Sequence, residues 1–478
     1  MTAGERAFAA LFVLAVAVAV VADRFLPQAS PAEAERAPVP AAASAAYCLA
    51  PDAGEAKADI RTLMDTSNVG AAVAPLRRFT IGEGRAGAPQ PAGLPPMLLT
   101  TSDVASFGLG AAGGKSGAAA GVVESFASPV ATDGVLLARG GGAAAAPCTG
   151  QPATRWYFAA GSTSRGQDTY LLVVNPFLED ASIGVRLLTG GGAVGLPRLR
   201  ELTIRPLSET VLFLGDFHPE DESFGIDVTV PRGRLVVGRY IRLSSRAGAK
   251  GLSLALGVRN PAQRWQFAEG DVPKDGEELL QLANPGEREA LAQVVFQTTD
   301  QQVAPPELEE VAIPAGSHVT VKVSDRLPRG TRHGTTVVTT NGEPIVAERQ
   351  TTGSGGMRGT EVTPGMPEQA RRWIVHAGTP VGGTAELALV NSGRDDATAG
   401  VTLATPSGAV RPPELTRVPV PAGRRVSVDL TPFLKGQPAT VLVDASSDGV
   451  AAEGRVFVGD PYLDFADTPA RPLDHPAG

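Results

Sequence analysis

Apolar and polar positions alternate with a period of two along much of the chain, and the alternation comes in matching sets. Tyr170-Leu171-Leu172-Val173-Val174 runs into Asn175-Pro176, Leu279 to Ala283 into Asn284-Pro285, and Glu386 to Val390 into Asn391-Ser392. Superposed, Leu171, Leu280 and Leu387 share one apolar position, and Val173, Leu282 and Leu389 the next but one. The positions between them drift through Leu172, Gln281 and Ala388. One face held apolar at alternate residues is the mark of a half-buried strand. The next segment repeats the test: Ala181, Ile183, Val185 and Leu187 match Ala290, Ala292, Val294 and Phe296, and Ala397, Ala399, Val401 and Leu403. Short strands of this kind, joined by Gly/Pro turns, predict an all-β chain of antiparallel β-sandwiches with an Ig-like layout.

An aromatic motif opens each set. Arg155-Trp156-Tyr157-Phe158-Ala159-Ala160-Gly161, Arg264-Trp265-Gln266-Phe267-Ala268-Glu269-Gly270 and Arg372-Trp373-Ile374-Val375-His376-Ala377-Gly378 share one layout and contain the chain's only 3 Trp. The tryptophans lie 109 and 108 residues apart, a period that suits tandem domains rather than small stacked repeats. Each is in phase with Phe158, Phe267 or Val375, which predicts core packing in preference to a sugar-stacking platform. Asn175, Asn284 and Asn391 fall on the inward phase just before a turn, so they are expected to be buried and to satisfy loop backbone groups. Each unit ends in an apolar run into arginine, at Arg239, Arg349 and Arg455. These are expected to tie the strands to carboxylates or carbonyls.

Only two cysteines occur, Cys48 and Cys148. They follow an uncharged stretch from Ala7 to Ala22 that reaches about 20 residues if Phe25 and Leu26 are included, with Arg24 snorkelling. That segment is expected to be a transmembrane anchor, with a cleaved signal peptide as the alternative. Either exports the rest of the chain, and an exported pair of cysteines predicts a disulfide. Between them lies a divergent copy of the unit. Thr66-Ser67-Asn68 stands at the Asn turn, Val135-Leu136-Leu137-Ala138-Arg139 resembles the closing strand, and Cys48 stands roughly where the tryptophan would be.

The expected organisation is therefore a cytoplasmic tip (1–6), an anchor or signal peptide (7–26) and a Pro/Ala linker (27–46). A divergent sandwich (47–150) comes next, then three repeats (151–262, 263–368 and 369–460) and a loose tail (461–478).

The pattern Trp-x-Phe-Ala-x-Gly, then Tyr170 to Pro176, Pro314-Ala315-Gly316 and Ile345-Val346-Ala347-Glu348-Arg349 resembles a family of exported actinobacterial proteins of unknown function. The resemblance covers about residues 47–460. The third copy departs from it, with Ser392 for the proline and Val375 for the phenylalanine. It implies an envelope location and a β-sandwich array, and brings no catalytic residues.

The remaining chemistry is thin. A formal net charge of −8, with no basic stripe, excludes a nucleic-acid binder. Gly82 to Gly87 matches G-x-G-x-x-G, but the proline-rich stretch that follows cannot supply the helix a dinucleotide site needs. Gly113-Gly114-Lys115-Ser116 ends like a phosphate loop yet has Leu109 where the leading glycine belongs. The histidines (218, 318, 333, 376, 475) show no metal-binding spacing, and no G-x-S-x-G occurs. Glu269 sits beside Trp265, but its counterparts are Ala160 and Ala377, so it is expected to be a solvated loop residue; His218 to Glu222 is expected to be an exposed acidic turn. The chain is thus expected to be a non-enzymatic, single-pass membrane protein without cofactor or metal. Its extracytoplasmic array would bind an envelope polysaccharide or a protein partner. The alternative is an extracytoplasmic carbohydrate-active enzyme with two carboxylates in one cleft.

Overall fold

The computed structural model describes residues 44–50, 60–70, 72–83, 90–91, 97–101, 103–108, 120–138, 142–244, 250–354, 358–377, 383–459 and 464–473. All of them belong to one compact body, Ala43–Gly478. The expected tip and anchor, most of the expected linker, Gly84 to Gly87, Gly113 to Ser116 and Arg139 lie outside the described residues. Among the described residues no helix is long and apolar enough to cross a membrane.

Repeat 2 shows the unit in its plainest form. One sheet runs Arg264–Phe267, His333–Thr339, Ala290–Thr298, Gln302–Val303; the other runs His318–Lys322, Gly276–Ala283, Val346–Ser354, Arg358–Pro364. Pairing is antiparallel throughout. Successive long strands switch sheets until the last two, which form a hairpin. This corrects the Ig-like expectation: in that fold the first two strands share a sheet, whereas here they face each other across the core. Repeats 1 and 3 follow the same order.

The three indoles are fully buried. Each Nε1–H donates to the carbonyl that precedes the closing strand or opens it: Leu235 O at 2.9 Å, Ile345 O at 3.0 Å and Val450 O at 2.9 Å. The buried asparagines repeat with equal fidelity. In the repeats, Nδ2 donates to the carbonyls four and twenty-nine residues on, and Oδ1 accepts from the N–H two residues on. Asn68 does the same with Ala72 O, Leu99 O and Gly70 N, so the divergent segment is a fourth copy.

The disulfide between Cys48 and Cys148 is formed. Cys48 does not take the tryptophan's place, however. The bridge Tyr47↔Thr149 matches Tyr157↔Val258 and Gln266↔Met366, which puts Cys48 level with Phe158 and Phe267, and Ala46 level with the tryptophans. In the repeats that phenylalanine lies against Gly257 or Gly365, where a Cβ would come within 2.8 and 2.7 Å of its Cζ. Cys148 occupies the glycine's position. A covalent bond thus replaces an aromatic ring lying on a glycine.

Two boundaries also move. The first described strand begins at Ser44, inside the expected linker, and residues 464–473 of the expected loose tail are built into the last unit. Asp464–Pro469 pairs with Val450–Val458, and Arg471–Pro472 with Arg372–Ala377. Buried residues anchor it, Phe465 and Asp467 among them.

The last strand of each unit (Ala143–Pro147, Gly251–Leu256, Arg358–Pro364, Asp464–Pro469) packs against the last strand of the next, and the fourth packs against the first. The four sandwiches therefore close into a ring around a common axis. At the first joint the closure extends to pairing, because Ser208–Phe213 lies parallel to Ala74–Glu83 in a nine-stranded sheet.

Candidate functional site

Backbone register decides which residues are equivalent at the joints. Four residues before each buried asparagine, the closing-strand partners are Gly134, Arg239, Arg349 and Gly454; three before it, they are Asp133, Gly238, Glu348 and Glu453. Arg455 is therefore not the counterpart of Arg239 and Arg349. It lies one residue on, opposite Glu386, and points to the other face of the strand. Gly454 holds the arginine position, where a Cβ would stand 2.5 Å from His376 O.

Two joints are charged and share one design. Between repeats 1 and 2, Glu348 accepts the Ala160 N–H at 2.7 Å and is ion-paired to Arg239, both side chains fully enclosed. Arg239 also donates to Ala160 O at 2.7 Å and Val362 O at 3.2 Å, with its guanidinium 5.3 Å from the Phe158 ring centre. Between repeats 2 and 3, Glu453 accepts the Ala268 and Glu269 N–H groups at 3.1 and 2.9 Å. Arg349 grips it at 3.2 and 2.7 Å and lies 5.7 Å from the Phe267 ring centre. Burial pushes Glu348 up from the ordinary carboxyl value, against the pull of Arg239. Burial, held partly in check by Arg349, pushes Glu453 up to about 7.

The joint closing the ring keeps the acid and changes the base. Asp133 receives both its bonds, at 2.8 Å, from Arg471 in the short strand Arg471–Pro472. Nearby His376 Nε2 lies 3.6 Å from the buried Asp65. Between the N-terminal unit and repeat 1 both charges are absent. The two positions are held by Gly134 and Gly238, and a Cβ on Gly238 would overlap Leu49 Cδ1 of the N-terminal unit.

Glu269 is the clearest error of sequence reasoning. It is not a solvated loop residue but a fully buried centre of charge. Arg332 and Arg455 contact it at 3.0 Å each, and Arg425 pairs with it as well. Burial alone would raise its pKa, but Arg425, Arg455 and Arg332 hold the carboxyl well below the usual range. Arg455 continues to Asp467 at 2.6 and 2.7 Å, and Arg349 reaches the same carboxylate at 2.7 Å. No local signal announces this, since the partners lie 63 and 156 residues away for Arg332 and Arg425.

The axis itself is closed by one carboxylate. Asp464 accepts N–H groups from Ala143 at 2.9 Å, Leu252 at 3.4 Å and Phe465 at 2.8 Å, and from Thr360. All four units thus donate to one side chain. Gly359 has φ +123°, and the Asp464 carboxylate fills the space its Cβ would need. Burial drives the Asp464 pKa well above the usual range despite these donors. Glu361, bonded to Ser253 Oγ at 3.0 Å, is raised likewise by burial and then by Asp467.

Chemically, these acids hold backbone and guanidinium groups in the interior. His218 and Asp221 form a half-exposed pair at 2.8 Å in the expected acidic turn. Among the described residues no group of three or more His, Cys, Asp or Glu side chains could hold a metal ion.

Comparison with known proteins adds little about activity. Among solved structures, Thermotoga maritima 1070 is 21% identical over 23% of this chain and 97% of its own, with a TM-score of 0.20. The Anabaena sensory rhodopsin transducer is 21% identical over 19% and 96%, with a TM-score of 0.16. A Streptomyces avermitilis α-L-rhamnosidase, solved with L-rhamnose, is 10% identical over 79% and 53%, with a TM-score of 0.14. At such scores these likenesses say nothing further about this chain, and no curated protein matches it. The profile of a family of unknown function, DUF5719, matches residues 115–268 and 250–475, which together span every repeat and part of the N-terminal unit. The chain therefore belongs to the DUF5719 family, a family of unknown function.

Proposed function

We propose that this chain is a non-enzymatic protein of the cell envelope, carried by a single membrane-spanning segment at residues 7–26, whose extracytoplasmic ring acts as a rigid scaffold or binding module for a polysaccharide or protein partner. The observation that carries this reading is the convergence of all four inner strands on the Asp464 carboxylate. A body locked at its axis presents its outer sheets in fixed relative positions, which suits recognition of an extended partner. Glu269, Glu453 and Asp467, which lie close together, are fully buried and held by arginines. A glycosidase needs its two carboxylates facing the scissile bond. The disulfide supports export, since such bonds persist in oxidising compartments.

Thiol labelling of the native chain in its host tests the location. Cys48 and Cys148 are expected to resist alkylation until a reductant is added, and surface protease is expected to release a fragment of the ring. Freely alkylated thiols in intact cells, with protease protection, would overturn the proposal. Retention of envelope polysaccharide or a membrane protein by the purified chain tests the binding role.

A further inference from the structure

Repeats of one fold reveal specialisation where a single copy breaks the pattern. Repeat 1 does so on its outer sheet, in a groove of about 440 Å³ lined by Gly184, Arg186, Gly195, Leu196, Arg200 and Asp227 among others. That size is within the range of small-ligand sites. By register, Asp227 corresponds to Thr336 and Leu442, and Arg186 to Val295 and Thr402. Gly195 corresponds to Ala304 and Arg411, and Arg200 to Glu309 and Thr416. Neither sister unit carries the acid–base pair. Neither leaves the rim position without a side chain.

We propose that this groove binds an acidic saccharide unit, an inference that rests on the binding role proposed above. Asp227 is fully buried, with Oδ2 held 2.7 Å from Arg186 Nε, while Oδ1 has no hydrogen-bond partner. A buried carboxyl oxygen left without a partner is an unmet polar group on a groove-lining residue, and a ligand hydroxyl satisfies it. Arg186 is fixed by its second bond, from Nη2 to Pro285 O of repeat 2 at 2.9 Å. Arg155 adds a third charge 3.9 Å from Asp227. Arg200 makes no ion pair among the described residues. Arg186 and Arg155 flank the one carboxylate and Arg200 is a further groove-lining arginine, so basic groups outnumber acidic ones here, which favours a ligand with a carboxylate or similar acid.

Calorimetric titration of the full chain with a hexuronate-containing oligosaccharide, and with its neutral hexose counterpart, tests the site. The acidic ligand is expected to bind at least about tenfold more tightly than the neutral one. Asp227→Asn and Arg200→Ala are each expected to weaken it by about tenfold or more. Gly195→Gln is expected to block the groove with an unchanged melting temperature, since a Cβ there meets nothing within 4 Å. Undiminished binding in all three variants would overturn the site and leave the envelope-binding role standing. No binding of either oligosaccharide by the unmodified chain would overturn the site as well. The wider role falls only if that chain also retains no envelope material.

Discussion

The joint between repeats 1 and 2 and the joint between the N-terminal unit and repeat 1 are built on the same backbone with opposite chemistry. In the first, Arg239 and Glu348 form an enclosed ion pair. In the second, the corresponding residues are Gly134 and Gly238, and Leu49 fills the space. Both halves of the pair are lost together. That is what physics requires, because one buried charge without its partner is far worse than none. The contact is therefore a true two-residue device, and an apolar plug can substitute for it as a whole.

This comparison can be broken at its strongest point. Arg239→Ala leaves Glu348 enclosed and unpaired, and is expected to cost about 3–5 kcal/mol in urea unfolding. The double variant Arg239→Leu with Glu348→Leu is expected to recover most of that loss. Recovery of nothing would mean that shape, not charge, holds the joint. On the uncharged side, replacing Cys48 and Cys148 with serine removes a link with a sequence separation of 100 residues. The expected loss is about 4 kcal/mol by the chain-entropy account, measured by the shift in unfolding midpoint.

The charged joints also predict a pH dependence. Glu453 is held at about 7 in the folded chain, above its ordinary 4.5. Its stabilising contribution is therefore full below about 4.5 and is lost as pH rises through about 7. The loss is on the order of 3 kcal/mol at most, since a tenfold change in proton affinity is worth about 1.4 kcal/mol. Urea midpoints at pH 5 and pH 8 check this, and Glu453→Gln is expected to flatten the difference. Glu269 works in the opposite sense, because its folded value is depressed and its contribution is lost only in acid. The smallest expected effect is at the turns. Asn284→Ala removes two donated bonds and one accepted bond, and is expected to cost about 1–3 kcal/mol. An equal loss for Asn68→Ala would confirm that the N-terminal unit depends on its turn as the repeats do.

Much of the unit was legible because local pattern determines it. Strand phase, the buried indoles and the asparagine turns follow from alternation and turn chemistry within a few dozen residues. The ring was not legible, since its contacts join residues such as Arg239 and Glu348, 109 apart. Arg455 shows why aligned motifs mislead here. The closing strand Val450–Val458 is buried on both faces over nearly its whole length, so no polar alternation marks which side a residue takes. A one-residue slip then passes unnoticed and reverses the face. The tail misled for a related reason. Its prolines suggested looseness, but Asp464 and Asp467 are there to meet partners from three other strands.

Small-angle scattering from residues 43–478 tests ring closure most directly. A closed body of this length is expected to show a radius of gyration of about 22 Å from the scaling of compact chains. A value above about 35 Å, as for four sandwiches strung end to end, would contradict the ring and with it the joints on which this account rests.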